Sequence, residues 1–484
     1  MNGVKQEVKG IPEGAKSAIV FTASSVFTRG LAIITVPIFT RLMTTDQIGM
    51  VNIYTAWYSL ISAFATLSLT SGGFAVAMKE YAENRDKYES SVLSLTTIVA
   101  AIIAIVYIIA PQFWQSIIGL PNELIILMLF GFVVNPAYDF WLSRQRYEYK
   151  YKLAGAISIL SAILASAVSI FVVINLSKAN IEETAEGRLF ANYVIIYGVA
   201  FVFWIYIMLK GKKVYCLEYW KMSLAISIPL VGYNIAGQIL SVSDRMMISN
   251  MVNNSAVGIY GTLYTVSTLS LMVWQAINSS FVPYLFQNID KKENNIKRIA
   301  NLLMALYGIV AVLLTYFAPE IVRILATEEY FEAIYIMPPI AAGVFFTSYA
   351  NLYSNVAVYY KKTKYVMYPA IIAACMNLLL NLIFINLFGY IAAAYTTMFS
   401  YIVLAALQGM WSKKVCEENE NPISGIYDNK FMIVLAVIII IVSLLAIPLY
   451  SNSIARYSII TLGIIIILLI AKKVLNSGVI KNSK

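Results

Sequence analysis

The sequence predicts an all-α, polytopic membrane protein of about 14 transmembrane helices, arranged as two pseudo-symmetric six-helix lobes plus two C-terminal helices. Three observations carry this expectation: a composition too apolar for water, apolar runs of spanning length from end to end, and an uneven sharing of Lys and Arg between alternate loops. Of 484 residues, 60% are hydrophobic and only 12% charged, whereas a soluble domain carries about 25% charged residues.

A helix of roughly 18 to 25 apolar residues crosses about 30 Å of hydrocarbon, and fourteen runs are of this kind. The first, Ser17 to Thr40, holds a single cation, Arg29, and ends near Pro37. Val51 to Phe74 is the second and carries Tyr54, Trp57 and Tyr58; the third, Ser91 to Ile109, stops at Ala110-Pro111. The fourth, Leu124 to Leu142, contains Pro136 and Asp139 and runs into a basic-aromatic stretch from Arg144 to Lys152. The fifth and sixth, Leu153 to Ile174 and Leu189 to Leu209, flank the longest external loop, Asn175 to Arg188. Leu224 to Val242, the seventh, includes Pro229 and Tyr233 and leads to Asp244-Arg245. The eighth, Ile259 to Phe281, carries Tyr264 and Trp274 and is followed by Pro283. Ala300 to Phe317 stops at Ala318-Pro319, and the tenth run, Ile334 to Val358, leads into Tyr359 to Tyr365. Val366 to Ile385, Ile391 to Trp411, Phe431 to Leu449 and Tyr457 to Ile470 complete the set. Pro37, Pro136, Pro229 and Pro283 mark kinks, which membrane helices tolerate.

Cations check the count, because Lys and Arg collect in cytoplasmic loops and one miscounted helix inverts every later loop. With the N-terminus inside, 28 of the 35 Lys and Arg fall inside, and only Arg41, Lys178, Arg188, Arg245, Arg323 and Arg456 fall outside. The net charge of +10 divides into about +14 inside and −4 outside, a membrane topology and not a nucleic-acid patch. Both termini are expected in the cytoplasm, and the N-terminal tail shows no cleavable signal. The absence of histidine excludes imidazole chemistry, and Cys216, Cys375 and Cys416 lack the spacing of a disulfide framework or zinc site. No metal or cofactor is expected.

The chain echoes itself at an offset near two hundred residues. Thr40-Arg41-Leu42-Met43 resembles Asp244-Arg245-Met246-Met247, Ala110-Pro111 returns as Ala318-Pro319, and Arg144 to Lys152 has its counterpart in Tyr359 to Tyr365. Three echoes in one order imply a duplicated six-helix unit. Because six is even, both copies enter the membrane from the same side, related by an axis along its normal with a cavity between them. The expected organisation is an N-terminal lobe with its tail over residues 1–222, a second lobe over 223–415, and a linker with two extra helices over 416–484.

In Pro37-Ile38-Phe39-Thr40-Arg41-Leu42-Met43, Ile48-Gly49, Ile228-Pro229, Ser243-Asp244-Arg245-Met246-Met247-Ile248, Val257-Gly258-Ile259-Tyr260 and Tyr360-Lys361-Lys362-Thr363-Lys364, the chain resembles the Wzx-type repeat-unit flippases. These are oligosaccharide-lipid transporters of the multidrug/oligosaccharidyl-lipid/polysaccharide exporter superfamily. The resemblance implies a non-enzymatic, monomeric exporter in the bacterial cytoplasmic membrane, moving an undecaprenyl-diphosphate-linked oligosaccharide outward by alternating access. It implies membrane lipid and other polysaccharide assembly proteins as partners, with capsule, O-antigen or exopolysaccharide as the product. A diphosphate and a chain of hydroxyls cannot enter hydrocarbon without a large desolvation cost, whereas the prenyl tail can stay in lipid.

Arg29 is the sharpest candidate. A guanidinium near a helix centre costs about 2.5 to 3.5 kcal/mol on insertion scales, and its planar fork suits a diphosphate. The alternative is an interhelical pair with Asp139 or with backbone carbonyls. The second and eighth runs carry no cation in their cores, so Arg29 is expected to act with Arg41, Arg245 or the cations Arg144 and Lys361. Arg41 and Arg245 have helix-end anchors as their plainer reading. Asp244 and Asp139 are candidates for proton or sodium coupling, with an interfacial helix cap as the plainer reading of Asp244. Tyr54, Trp57, Tyr58, Tyr233, Tyr264 and Trp274 lie in helices that line the cleft of the family and are the candidates for stacking on sugars.

Rival functions leave marks that are missing or weak here. A polysaccharide polymerase or glycosyltransferase needs a larger external loop than Asn175 to Arg188. Gly211-Lys212 is followed by Lys213 with no phosphate-cradling loop. The nearest alternative is a cation-coupled multidrug antiporter of the same superfamily, which has twelve helices and acids in its cavity.

Overall fold

A computed structural model describes residues 13–70, 73–291, 295–419 and 426–476; much of the two terminal tails, whose cations enter the loop tally, lies outside them. The described residues form an all-helical chain. In order, the helices are α1 (Glu13–Leu42), α2 (Thr45–Ala65), α3 (Gly73–Glu80), α4 (Arg85–Ile109), α5 (Pro111–Ile118), α6 (Asn122–Tyr147), α7 (Tyr151–Lys178) and α8 (Thr184–Gly211). Then come α9 (Leu217–Met251), α10 (Asn254–Ser267), α11 (Ser270–Asn288), α12 (Ile296–Tyr316), α13 (Ala318–Leu325) and a 3₁₀ helix (Glu328–Ile336). The rest are α14 (Met337–Tyr359), α15 (Lys364–Phe388), α16 (Ala392–Glu418), α17 (Asn429–Leu449) and α18 (Ser453–Asn476).

Every apolar run of the sequence falls on helix, with two differences in detail. The second run breaks where Leu67 and Ser68 take positive φ, and the eighth divides into α10 and α11. Among the described residues, length and composition support eleven crossing helices, or twelve with α9, whose halves Leu217–Ile228 and Leu230–Met251 meet at a 46° bend. That bend falls at Pro229, a residue with no backbone N–H to continue the helical ladder. The expected fourteen exceeds this number. Among the residues whose side chains are described, α18 is apolar over Ser453–Leu469, and α16 carries buried Thr396, Thr397, Ser400 and Gln408 that lower its hydropathy.

The helices cluster into two compact units. The first comprises residues 1–38 and 62–228. Its core is aromatic: Phe74 stacks on Phe140 at 5.2 Å and Trp141 on Phe203 at 4.1 Å between ring centres. At the end of α6, Arg144 is held by three carboxylates, Asp86 at 2.5 Å, Glu89 at 2.8 Å and Glu148 at 3.0 Å. Arg85 and Lys210 join the same cluster. Burial alone would raise the Glu148 carboxyl, but hydrogen bonds from Lys150 and Arg144 outweigh it and hold the group below its ordinary value. Charges taken out of water need this degree of pairing.

The second unit comprises residues 39–61 and 229–484. At its centre α14 is buried on nearly every side, with Trp274, Tyr307 and Phe345 in one continuous core. The C-terminal pair α17 and α18 is fastened to this unit by Arg456, which is buried and forks onto Glu320 at 2.5 and 2.7 Å. Arg456 also reaches the Tyr316 carbonyl at 3.1 Å, and Tyr457 donates to Glu320 at 2.7 Å. A bidentate charged fork fixes orientation as well as contact.

Candidate functional site: an arginine-bearing cavity and a buried aspartate

In the first unit, α1, α6 and α7 form an open cavity of about 340 Å³ lined by Arg29, Arg146, Tyr138 and the hydroxyl residues Ser24, Thr28, Ser158 and Ser161. Gly155 lets α7 close on α1: a methyl group there would lie 2.9 Å from Val20 and 3.1 Å from Ser24. Ser24, Thr28, Ser158 and Ser161 donate to backbone carbonyls of their own helices at 2.7 to 2.8 Å. Their oxygen lone pairs remain to accept hydrogen bonds. Tyr138 and Ser158 share a bond of 2.8 Å. At Gly30, next to Arg29 in the chain, an added side chain would meet nothing within 4 Å. Arg146 lies over the Phe21 ring at 5.2 Å and within electrostatic reach of Asp139. The cavity therefore offers two permanent cations with a ring of acceptor oxygens.

Sequence reasoning selected Arg144 from this region, and Arg146 went unmarked. Two residues apart on a helix, their side chains point to nearly opposite sides. Arg144 turns into its three carboxylates, whereas Arg146 lines the cavity. Lys361 lies on the turn after α14, exposed and at positive φ.

In the second unit, Arg41 and Thr40 close the end of α13, where the Ile324 carbonyl accepts from Arg41 at 3.1 Å and the Leu325 carbonyl from Thr40 at 2.8 Å. A cation is favoured at such a carbonyl-rich helix end. Asp244 does not end a helix, since α9 continues to Met251. Its buried carboxylate accepts from the Tyr260 hydroxyl and, at 3.1 Å, from Thr397. Asn377 donates to Thr397 at 3.2 Å and accepts from Ser243 at 3.2 Å and Asn381 at 3.3 Å. One Asp244 oxygen has no hydrogen-bond partner, which makes the network incompletely satisfied at a charged group. Asn377 and Asn381, four apart on an apolar helix, were the readable sign of this network. Arg245 donates to the Ser241 carbonyl at 3.0 Å and lies over Tyr264 at 4.6 Å.

The stacking candidates separate by environment. Tyr54 is fully buried and stacks on Tyr58 at 6.3 Å, and Trp57 packs with Ala56, Val242 and Met246. Trp274 is buried against Tyr307 at 5.4 Å. Tyr233 and Tyr264 line a second cavity, of about 310 Å³.

The starts of α2 and α10 cross within this unit at glycines. A methyl at Gly49 would lie 1.9 Å from the Asn254 carbonyl oxygen, and one at Gly258 would lie 2.0 Å from that of Thr45. Thr45 and Ser255 share a hydroxyl bond of 2.7 Å. Thr45 and Asn254, like Gly49 and Gly258, stand 209 residues apart, so each strip of helix meets the other reciprocally, as in a two-fold interface. The ends of α1 and α9, Leu42 and Met251, share this offset. It sets Arg41 against Asn250 and Arg245 against Val36, so the Arg-x-Met echo is five residues out of structural register.

A multi-pass helical membrane protein of transporter type is the class that these features define. The chain matches the polysaccharide biosynthesis protein family over residues 15–289 and the MatE family over residues 229–383. It belongs to the polysaccharide biosynthesis protein family. It is 23% identical over 398 residues to an uncharacterized membrane protein of Methanocaldococcus jannaschii, covering 77% of this chain and 78% of that protein. Its fold is similar to that of the lipid II flippase MurJ in an inward closed conformation, with a TM-score of 0.65 at 16% identity over 96% of this chain and 100% of that one. It is also similar to a multidrug resistance MATE family transporter of the MOP superfamily in an inward-facing conformation, at 0.59 and 15% over 84% and 96% of the two chains.

Proposed function

We propose that the protein is a flippase that carries an undecaprenyl-diphosphate-linked oligosaccharide from the inner to the outer leaflet of the bacterial cytoplasmic membrane. The observation that carries the reading is the pairing of Arg29 and Arg146 on one hydroxyl-lined cavity, a chemistry suited to a diphosphate followed by sugar hydroxyls. Family membership and the lipid II flippase fold support it. Asp244, with Thr397, Asn377 and Asn381, offers oxygen donors that suit a proton or sodium ion as the coupling species. Asp139 beside Arg146 is the second candidate. The multidrug antiporter stays as the second reading because of the MatE match and the buried Asp244.

The deciding measurement follows arrival of the glycan headgroup at an external glycan-binding probe in reconstituted vesicles, first at zero potential and then inside-negative. A headgroup with about two negative charges gains about 2.3 kcal/mol per charge per 100 mV if the protein's cations stay in place. The expected result is faster arrival with the inside negative. Asp244→Asn should abolish any added effect of an ion gradient while leaving that response. No movement of lipid-linked sugar under any condition sinks the flippase reading in favour of the antiporter.

Both termini belong in the cytoplasm on the loop-cation tally. Cysteines placed at Asn180 and Lys291 should accordingly react with an impermeant reagent from opposite sides. Reaction of both from the outside would overturn this topology.

A further inference from the structure

We infer that the cavity of about 310 Å³ inside the second unit is a binding site for one uncharged sugar ring. This rests on the reading that the cargo is a lipid-linked glycan and adds a site for its neutral part, separate from the arginine cavity. The lining contains no charged side chain; it combines three tyrosines, Tyr233, Tyr264 and Tyr401, with the amides of Asn351 and Gln408 and several hydroxyls. The volume is at the small end of ligand pockets, which run from about 300 to 1,000 Å³.

The chemistry selects the ligand class. A cationic drug wants an acid and an anion wants a cation, and neither charge lines this cavity. An apolar ligand would leave the amide oxygens and second amide protons of Asn351 and Gln408 without use. A pyranose offers an apolar ring face to an aromatic and a rim of hydroxyls to amides, which matches this lining. The polar groups are also fixed in place. Tyr264 and Tyr401 share a hydroxyl bond of 3.2 Å, the Asn351 amide donates to the Thr347 carbonyl at 2.8 Å, and Gln408 donates to the Tyr365 carbonyl at 3.1 Å. Pre-set partners reduce the ordering cost of binding. Gly237 lines the cavity, and a side chain there would meet nothing within 4 Å; the space is held open by a missing side chain.

Gly237→Trp fills that space from one wall and provides the test. Saturation-transfer NMR on the purified full-length protein would use glucose, galactose, rhamnose and N-acetylglucosamine as free probes. The expected result is transfer to at least one sugar, competed by excess of the same unlabelled sugar and reduced at least fivefold in Gly237→Trp. Gln408→Leu should weaken it several-fold. Each variant is compared at equal monodispersity and thermal midpoint; a Gly237→Trp protein that fails this check is replaced by Ala350→Phe, another lining residue, on α14. No transfer to any of the four sugars, or transfer unchanged by filling the cavity, overturns the site. The flippase reading is judged separately by headgroup arrival: failure of arrival with sugar transfer intact sinks that reading and leaves the site standing.

Discussion

Arg29→Ala is expected to stop glycan export while the protein still inserts and accumulates. A charged hydrogen bond is worth about 1.5 to 3 kcal/mol, so loss of one guanidinium from a diphosphate corresponds to a rate loss of about ten- to a hundredfold. Arg29→Lys keeps the charge but loses the fork and should recover part of the rate. Arg146→Ala should cost a similar factor, and the double variant should fall short of the product of the two, since both cations hold one anion. Arg144→Ala should behave differently. Asp86, Glu89 and Glu148 surround that guanidinium, and removing it strands the buried Glu89 carboxylate at about 3 to 5 kcal/mol, so its defect should appear as low protein level. Headgroup arrival per molecule of inserted protein separates the two outcomes. Wild-type transport by Arg29→Ala would remove Arg29 from the site.

The helical architecture was legible because the bilayer imposes it: a backbone in hydrocarbon must bond within its own segment, and that requirement writes itself as long apolar runs. The count was less legible. A helix such as α16, an apolar run from Ile391 to Trp411 in the sequence, places Thr396, Thr397 and Ser400 against other helices and so is less apolar than the helices counted as crossing. Arg29 was legible as an intramembrane cation. Arg146 was not, because its difference from Arg144 depends on which neighbours supply carboxylates, and two of the three, Asp86 and Glu89, stand on α4, some fifty-odd residues earlier in the chain. The repeat was seen through its charged echoes, yet its true register is set by glycines. Charged side chains at helix ends can shift by a turn and still reach water, whereas two backbones in contact tolerate no displacement.

That intolerance makes Gly258→Ala and Gly49→Ala the most informative changes outside the cavities. In an exposed helix interior, Gly→Ala stabilises by about 1 kcal/mol, and Gly198→Ala in α8, where an added methyl meets nothing within 4 Å, should do so. At Gly49 and Gly258 the methyl would sit about 2 Å from a backbone carbonyl oxygen, and no rotamer change can relieve a clash with backbone. The helices must part, at the cost of about 1 to 3 kcal/mol typical of overpacking. If alternating access requires the crossing of α2 and α10 to close once in each cycle, either variant should transport at about a tenth of the wild-type rate or less. The state of the crossing can be read directly. Thr45 and Ser255 touch through their hydroxyls at 2.7 Å, close enough for the Thr45→Cys, Ser255→Cys pair to form a disulfide. That bond should form readily on oxidation, arrest transport, and release it on reduction. In the Gly258→Ala background the same pair should cross-link several-fold more slowly. Full transport by the cross-linked protein would show that the crossing never opens and that the two glycines serve only to pack it.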